Sequence, residues 1–259
     1  MVEEKLHTQW AARKLVLLEQ IDSTNEEAKR LAQGGAPHGT LVVAQMQHAG
    51  KGRLGRSFDS PKDQGIFMSL VIRDQIKPQK ASMLTLVMGL AAQKAVERMT
   101  GIRSQIKWPN DLIVDGKKLC GILTEMSLMG DEIHFIVVGV GMNVHNQSFP
   151  APITDVATSI AQHTKKPVGR WQLMEAILQE FEILYQSYVQ TQDLSEMLED
   201  YNECLINRGK QVNVLDPRGS YEGLALGINA EGDLLVKTQQ GVKQVFSGEV
   251  SVRGVLGYV

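Results

Sequence analysis

Residues 50–65 read GKGRLGRSFDSPKDQG, and the residues after the glycines decide the fold. Gly50, Gly52 and Gly55 spell G-x-G-x-x-G, the dinucleotide fingerprint. Gly50 to Ser57 also spell G-x-x-x-x-G-[KR]-S, a P-loop with Arg56 in place of lysine. Both patterns work by pointing the N-terminus of a subsequent helix at phosphate. Here Pro61, Gly65 and several turn formers come at once, so a full helix does not fit. Asp74 stands where a ribose-binding acid would, but the helix between is missing. Beside the weakened dinucleotide and P-loop reading, two others remain open at this point. One is a solvated basic turn. The other is a phosphate loop of a different kind, with backbone N–H groups lining a concavity and Lys51, Arg53 and Arg56 adding charge. Such a loop is expected to be mobile when empty and to order on an anion.

Working outward, the flanking segments are mostly sheet. Thr40–Gln47 and Ile66–Arg73 read as buried strands, and His134–Val144 as another. Asp115-Gly116 between two apolar runs is a hairpin signal. Helices are expected over DSTNEEAKRLAQGG, with Ser23 and Glu26 as a capping box, and from Pro78 to Gly101. Two more are expected over RWQLMEAILQEFEILYQSYV and DLSEMLEDYNECLINRG, the last ending at Gly209. From Lys210 onward, four or five short strands are separated by turns at 216–219, Glu231-Gly232 and Gln240-Gly241. The expected class is therefore α+β with mixed or antiparallel pairing. The expected division is residues 1–208 and a small β-barrel at 209–259.

Bulk properties narrow the function. The chain has 259 residues, 43% of them hydrophobic, and a formal net charge of −2, which argues against a dedicated nucleic-acid binder. Two distant cysteines, Cys120 and Cys204, form no disulfide framework and fit a reducing cytoplasm. No secretory or membrane-spanning segment is apparent, and the six histidines lack metal-ligand spacing.

Three further strings carry chemistry. In KWPNDL, Lys107 is a phosphate ligand candidate and Asp111 a group to orient a ligand or support Mg²⁺ through water. Turn residues at a strand end are the plain alternative. In DGKKLCGIL, Lys117 and Lys118 point to opposite faces of a strand, so one faces solvent and the other the sheet interior or a site. In GVGMNV, Gly139 and Gly141 leave space above the sheet, and Asn143 has hydrogen-bonding capacity. Close strand packing is the plain alternative.

Together these strings resemble the biotin protein ligases of the bacterial biotin–acetyl-CoA-carboxylase ligase type. The resemblance runs in order through DSTNEEAK, AQMQHAGKGRLGRSFDSP, GIFMSL, IKWPNDLIVDGKKLCGILTE, VVGVGMNV and GEVSVRG. It implies an α+β catalytic domain, with a mixed sheet and flanking helices of the class II synthetase/biotin–lipoate ligase kind, plus a C-terminal SH3-like β-barrel. It implies conversion of biotin and MgATP to biotinyl-5′-AMP, then transfer to a lysine of a biotin carboxyl carrier protein of acetyl-CoA carboxylase or another biotin-dependent carboxylase. By resemblance, Ser23, Thr24, Asn25, Gln47, Gly50, Lys51, Gly52, Arg53, Lys118 and Gly121 surround biotin. Arg56, Phe58, Lys107, Asn110, Asp111, Asn143 and Arg253 lie on the nucleotide side. Lys118 and Arg53 are the catalytic candidates, and no metal is held by the protein itself.

Two departures stand out. Lys51 replaces a common arginine and loses the bidentate fork, and Phe58 replaces a common tryptophan. Some members carry an N-terminal DNA-binding domain. Here S-T-N starts at residue 23, so a ligase without DNA binding or other nucleic-acid partner is expected; with the cysteine usage and apolar runs above, the expectation is a cytoplasmic protein without a membrane partner, a homodimer allowed. The alternatives are a lipoate-protein ligase, a non-catalytic ligand sensor with the barrel as a docking module, and a Rossmann oxidoreductase.

Overall fold

A computed structural model describes residues 6–217, 219–247 and 250–254. Arg218 of the 216–219 turn, and Gly248 and Glu249 of GEVSVRG, lie outside them. The larger unit is a seven-stranded sheet. Its strands are β1 (Lys14–Leu18), β2 (Thr40–Ala44), β3 (Gly65–Ile72), β4 (Gln105–Lys107), β5 (Asp111–Val114), β6 (Lys117–Met129) and β7 (Glu132–Asn143). Their order is β1-β2-β3-β7-β6-β5-β4. β1 and β2 are parallel and every other pair is antiparallel. The sheet is therefore mixed, as expected. β1 has no sequence signal, because its residues show no clean alternation and sit only partly buried at the sheet edge.

Period-2 alternation sorts the side chains onto two faces. Leu41, Val43, Met68, Leu70, Val138 and Val140 join the main core under helices α2 (Met83–Thr100) and α3 (Arg170–Thr191). Val42, Val71, Phe135 and Val137 turn the other way, onto Ala28 and Ala32 of helix α1 (Thr24–Gln33). The candidate site lies on this second face, beyond the first turn of α1. α2 ends on Gly101 in the left-handed region, φ 75°, the usual way to close a helix. The Asp115-Gly116 hairpin turn has both residues at positive φ, 48° and 76°, as a type I′ turn requires.

Three helix expectations are corrected by the structure: the one expected from Pro78 opens as a separate 3-10 turn, Pro78–Lys80, with α2 starting at Met83, and two others differ as follows. α1 has Ser23 as its N-cap in extended conformation, but the Ser23 side chain makes no capping hydrogen bond. Glu26, the other half of the supposed capping box, pairs with Lys29 and Lys51 instead. The last helix, α4, spans only Leu198–Cys204. The chain leaves it because Leu205 bridges to Ile106 and Asn207 Oδ1 accepts the Trp108 N–H at 2.9 Å.

The C-terminal strands β8 (Gln211–Leu215), β9 (Tyr221–Ile228), β10 (Leu234–Thr238), β11 (Gly241–Val245) and β12 (Ser251–Gly254) form an antiparallel sheet in the order β11-β10-β9-β8-β12. Val212, Val214, Ala225, Leu234, Val236, Val245 and Val252 are buried in a core continuous with that of the larger unit. The buried Trp108 indole donates to Gly232 O at 3.0 Å across the junction. KWPND is thereby pinned between the two sheets.

Candidate functional site

The N-terminal end of α1 is built around Ser69, a hydroxyl in the middle of a wholly buried strand. Ser69 donates to Asn25 Oδ1 at 2.6 Å and lies 2.8 Å from Thr24 Oγ1. The Thr24 N–H and hydroxyl both reach Gln47 Oε1, at 2.8 and 3.1 Å, and Gln47 Nε2 donates to Ser60 at 2.9 Å. Asn25 Nδ2 donates to Leu123 O and to Glu125 Oε2. A Cβ at Gly139 would stand 1.9 Å from Asn25 Oδ1. The space above Gly139 is thus filled by the Asn25 amide. Buried amides of this kind keep their hydrogen bonds because an unpaired one is costly.

The space above Gly141 is also filled. A Cβ there would meet the Phe58 ring at 2.8 Å. Phe58 reaches this point because the glycine loop folds back on itself. Gly52 N–H donates to Arg56 O, Phe58 N–H donates to Gly50 O, and Lys51 bridges to Ser57. Leu54 and Gly55 turn the loop at φ 56° and 72°. The next long element is β3, not a helix. The dinucleotide and P-loop geometries are thereby excluded, and Asp74 instead accepts a hydrogen bond from Tyr185 at 2.6 Å.

Lys118 sits at the centre. In strict alternation Gly121, Leu119 and Lys117 would share a face. A bulge in β6 pairs Ile113 with Lys118 instead. The extra residue turns Lys118 onto the Gly121 face and sends Leu119 into the core. Lys118 Nζ then pairs with Asp111 Oδ1 at 2.6 Å and lies 5.8 Å from the Phe58 ring centre. Lys117 stays outside and donates to Thr154 O.

Lys107 is 5% exposed. Burial pulls its pKa down to about 8; Asp111 opposes this, and Lys118, Arg253 and Arg56 reinforce it. Lys107 thus feels three further cations with Asp111 opposing them, an arrangement that favours an added anion. Arg53 is also desolvated, which lowers its pKa. It donates to Asn110 Oδ1 at 3.4 Å, to Ser247 O at 2.6 Å and to Val250 O at 3.3 Å. The glycine loop is thereby joined to KWPND and to the C-terminal sheet.

These residues define two adjoining cavities. One is lined by Ser23, Thr24, Asn25, Gln47, Lys51 and Gly121, the other by Arg53, Arg56, Lys107, Asp111, Ser251 and Val252, and Gly52, Phe58, Asn110 and Lys118 line both. The first is about 30 Å³, room for roughly two water molecules. The Phe58 ring closes it on one side. Phe58, expected on the nucleotide side, therefore stands at the junction. Asn143, expected there too, lines neither cavity; its amide donates to Thr158 O at 3.0 Å. It steadies the segment whose Ala157 pairs with Lys118. Sequence reasoning misses Ser69 and Glu125. Ser69 has a signal, as a lone hydroxyl in the apolar run GIFMSLVI; Glu125 has none.

The profile of the Biotin/lipoate A/B protein ligase family matches residues 17–143. That of the Biotin protein ligase C terminal domain matches residues 209–253. The bifunctional ligase/repressor BirA of Bacillus spizizenii is 37% identical over 249 residues, covering 95% of this chain and 76% of that protein. The biotin–[acetyl-CoA-carboxylase] ligase of Paracoccus denitrificans is 29% identical over 244 residues, covering 92% of this chain and all of that one. The solved biotin protein ligase from Aquifex aeolicus in complex with biotin and ATP aligns with a TM-score of 0.81 and 31% identity, covering 93% of this chain and 99% of that chain. Fold and site define the class of biotin/lipoate protein ligases. Within that class, the chain belongs to the biotin protein ligase family.

Proposed function

We propose that the two adjoining cavities hold an acid and a nucleotide, with Lys118 at the point where they react. The chain is an ATP-dependent enzyme that activates biotin as biotinyl-5′-AMP and transfers it to a lysine of a biotin carrier. The observation that carries the residue assignment is that Lys118 lines both cavities. In the first step a biotin carboxylate oxygen attacks the α-phosphorus, an O–P bond forms, and the bond to the departing pyrophosphate breaks. Two anions meet, so charge neutralisation and alignment matter more than acid–base work. In the second step the carrier lysine amine attacks the acyl carbon, AMP leaves, and the amine loses a proton.

In this reading Ser23, Thr24, Asn25, Gln47, Gly50, Lys51, Gly52 and Gly121 frame the biotin subsite. The Asn25 donors are already engaged, so Asn25 acts mainly by shaping it. Arg56, Phe58, Lys107, Asn110, Asp111 and Arg253 frame the nucleotide, and Asn143 supports them from behind. Lys118 and Arg53 meet the developing charge. Mg²⁺ arrives with ATP as part of the substrate. Residues 1–208 act as the catalytic domain and 209–259 as the C-terminal domain. The partner is the carrier of acetyl-CoA carboxylase, the setting is the cytoplasm, no nucleic acid takes part, and a homodimer is testable by sedimentation. No helix among the described residues is long and apolar enough to cross a membrane.

The test is pyrophosphate release from MgATP with biotin, with lipoate and with neither, followed by addition of carrier domain. Release with biotin and a biotinylated carrier is expected. Release with lipoate alone would change the substrate. Failure of both acids to give release would remove the activity.

A further inference from the structure

The glycine loop is anchored on two sides of the first cavity. Arg53 ties it to Asn110 and to the C-terminal sheet. On the opposite side, Lys51 reaches the first turn of α1, where its Nζ lies 2.5 Å from Glu26 Oε1. The same oxygen takes Lys29 Nζ at 2.7 Å. Lys29 continues to Glu125 Oε1 at 2.8 Å, and Glu125 Oε2 accepts from Asn25 Nδ2 at 2.8 Å. An unbroken polar chain therefore runs from the loop, through α1 and β6, to the amide that floors the biotin cavity. Glu26 stands at the helix N-terminus, where negative charge is favoured. Its carboxyl is held below the ordinary range, first by Lys29 and then by Lys51.

We propose that Glu26 is a positioning residue that latches the glycine loop over the site through Lys51. This rests on the ligase reading for its consequence but not for its geometry. The lysine at position 51 suits the task. A single point charge engages and releases more readily than a bidentate guanidinium. The lysine end of the pair is also half exposed, so the latch opens without a large barrier and weakens as salt screens it. Its purpose is to keep the reactive anhydride from leaving before the carrier arrives.

The experiment uses the full chain with biotin and MgATP and no carrier. Biotinyl-AMP that escapes into solution is measured by mass spectrometry against total pyrophosphate formed. Limited trypsin cleavage after Arg56 is followed in parallel without substrates. Glu26→Gln is expected to raise the escaping fraction roughly 1.5- to fivefold and to speed loop cleavage by a similar factor, the range for losing one exposed ion pair. Lys51→Gln should do the same, and the double variant should exceed neither single one, as expected for one shared contact. Escape and cleavage at wild-type levels in Glu26→Gln would overturn the latch, as would multiplying effects in the double variant. If the wild type forms no adenylate, the ligase reading falls and the cleavage rates alone decide the latch.

Discussion

Gly139→Ala tests the site at its most constrained point. Gly139 lies in β7 between β3 and β6, opposite Ser69 and Leu123, so its backbone has no room to shift. An added methyl would fall 1.9 Å from Asn25 Oδ1 and 2.8 Å from its Cγ. The amide must leave and lose its hydrogen bonds to Ser69, Leu123 O and Glu125. At about 1 kcal/mol each, with about 1 kcal/mol of residual crowding, the cost is roughly 4 kcal/mol. Part of it appears as stability, a fall in melting temperature of about 5–10 °C for a chain of this size. The expelled side chain enters the cavity, so the KM for biotin should rise about 100-fold, equivalent to about 3 kcal/mol. The KM for ATP should change less than about threefold. Gly141→Ala is the control. Its neighbour is the Phe58 ring, which is carried on a loop and free to rotate away, so the effect on melting should be small. Calorimetry and steady-state kinetics with each substrate varied decide the matter. A Gly139→Ala protein with wild-type melting and an unchanged KM for biotin would refute the packing argument.

Lys118→Ala should slow adenylate formation by two orders of magnitude or more, since one preorganised donor contributes about 3–4 kcal/mol in comparable sites; single-turnover pyrophosphate release measures it, and near-normal rates would remove Lys118 from the chemistry. Lys107 has a depressed pKa of about 8, so it is charged below that pH and loses its proton above it; the KM for ATP should rise between about pH 7.5 and 9 by about an order of magnitude, and a flat profile would discount Lys107 as a phosphate ligand. The same depression makes the buried charge a stability penalty below about pH 8, relieved as pH rises toward the unfolded value. Glu182 accepts the N–H groups of Gln9, Trp10 and Ala11 at 2.8, 2.6 and 2.7 Å; Glu182→Ala strands these donors and should cost about 3 kcal/mol of stability, and a melting shift under about 2 °C would contradict that.

How much of this is legible in the sequence depends on whether local or distant residues fix each feature. The strands around Ser69 and Val138, the type I′ turn at Asp115-Gly116 and the stop at Gly101 come from local pattern, because alternation and positive φ are local constraints. The exclusion of a dinucleotide fold is local too, since RSFDSPKDQG has no room for a helix. The capping box fails because Glu26 has better partners in Lys29 and in Lys51, which is 25 residues away. The expectation for α4 runs too long because Leu205 and Asn207 are claimed by Ile106 and Trp108, each 99 residues upstream.

The lysine pair is the sharpest case. Alternation says only that Lys117 and Lys118 face opposite ways. Counted back from Gly121, it would aim Lys117 at the site. One extra residue in β6 reverses that, and nothing in DGKKLCGIL announces a bulge. Leu119 and Cys120, both fully buried, show what the bulge achieves. Two consecutive residues enter the core, and the charge beside them is turned toward Asp111. The choice of Lys118 from sequence therefore rests on resemblance, whereas the structure supplies its physical cause. Straightened to strict alternation with every residue kept, β6 would exchange the faces of the two lysines. The protein would keep the same residue types in the same strand and turn Lys118 away from the junction of the two cavities.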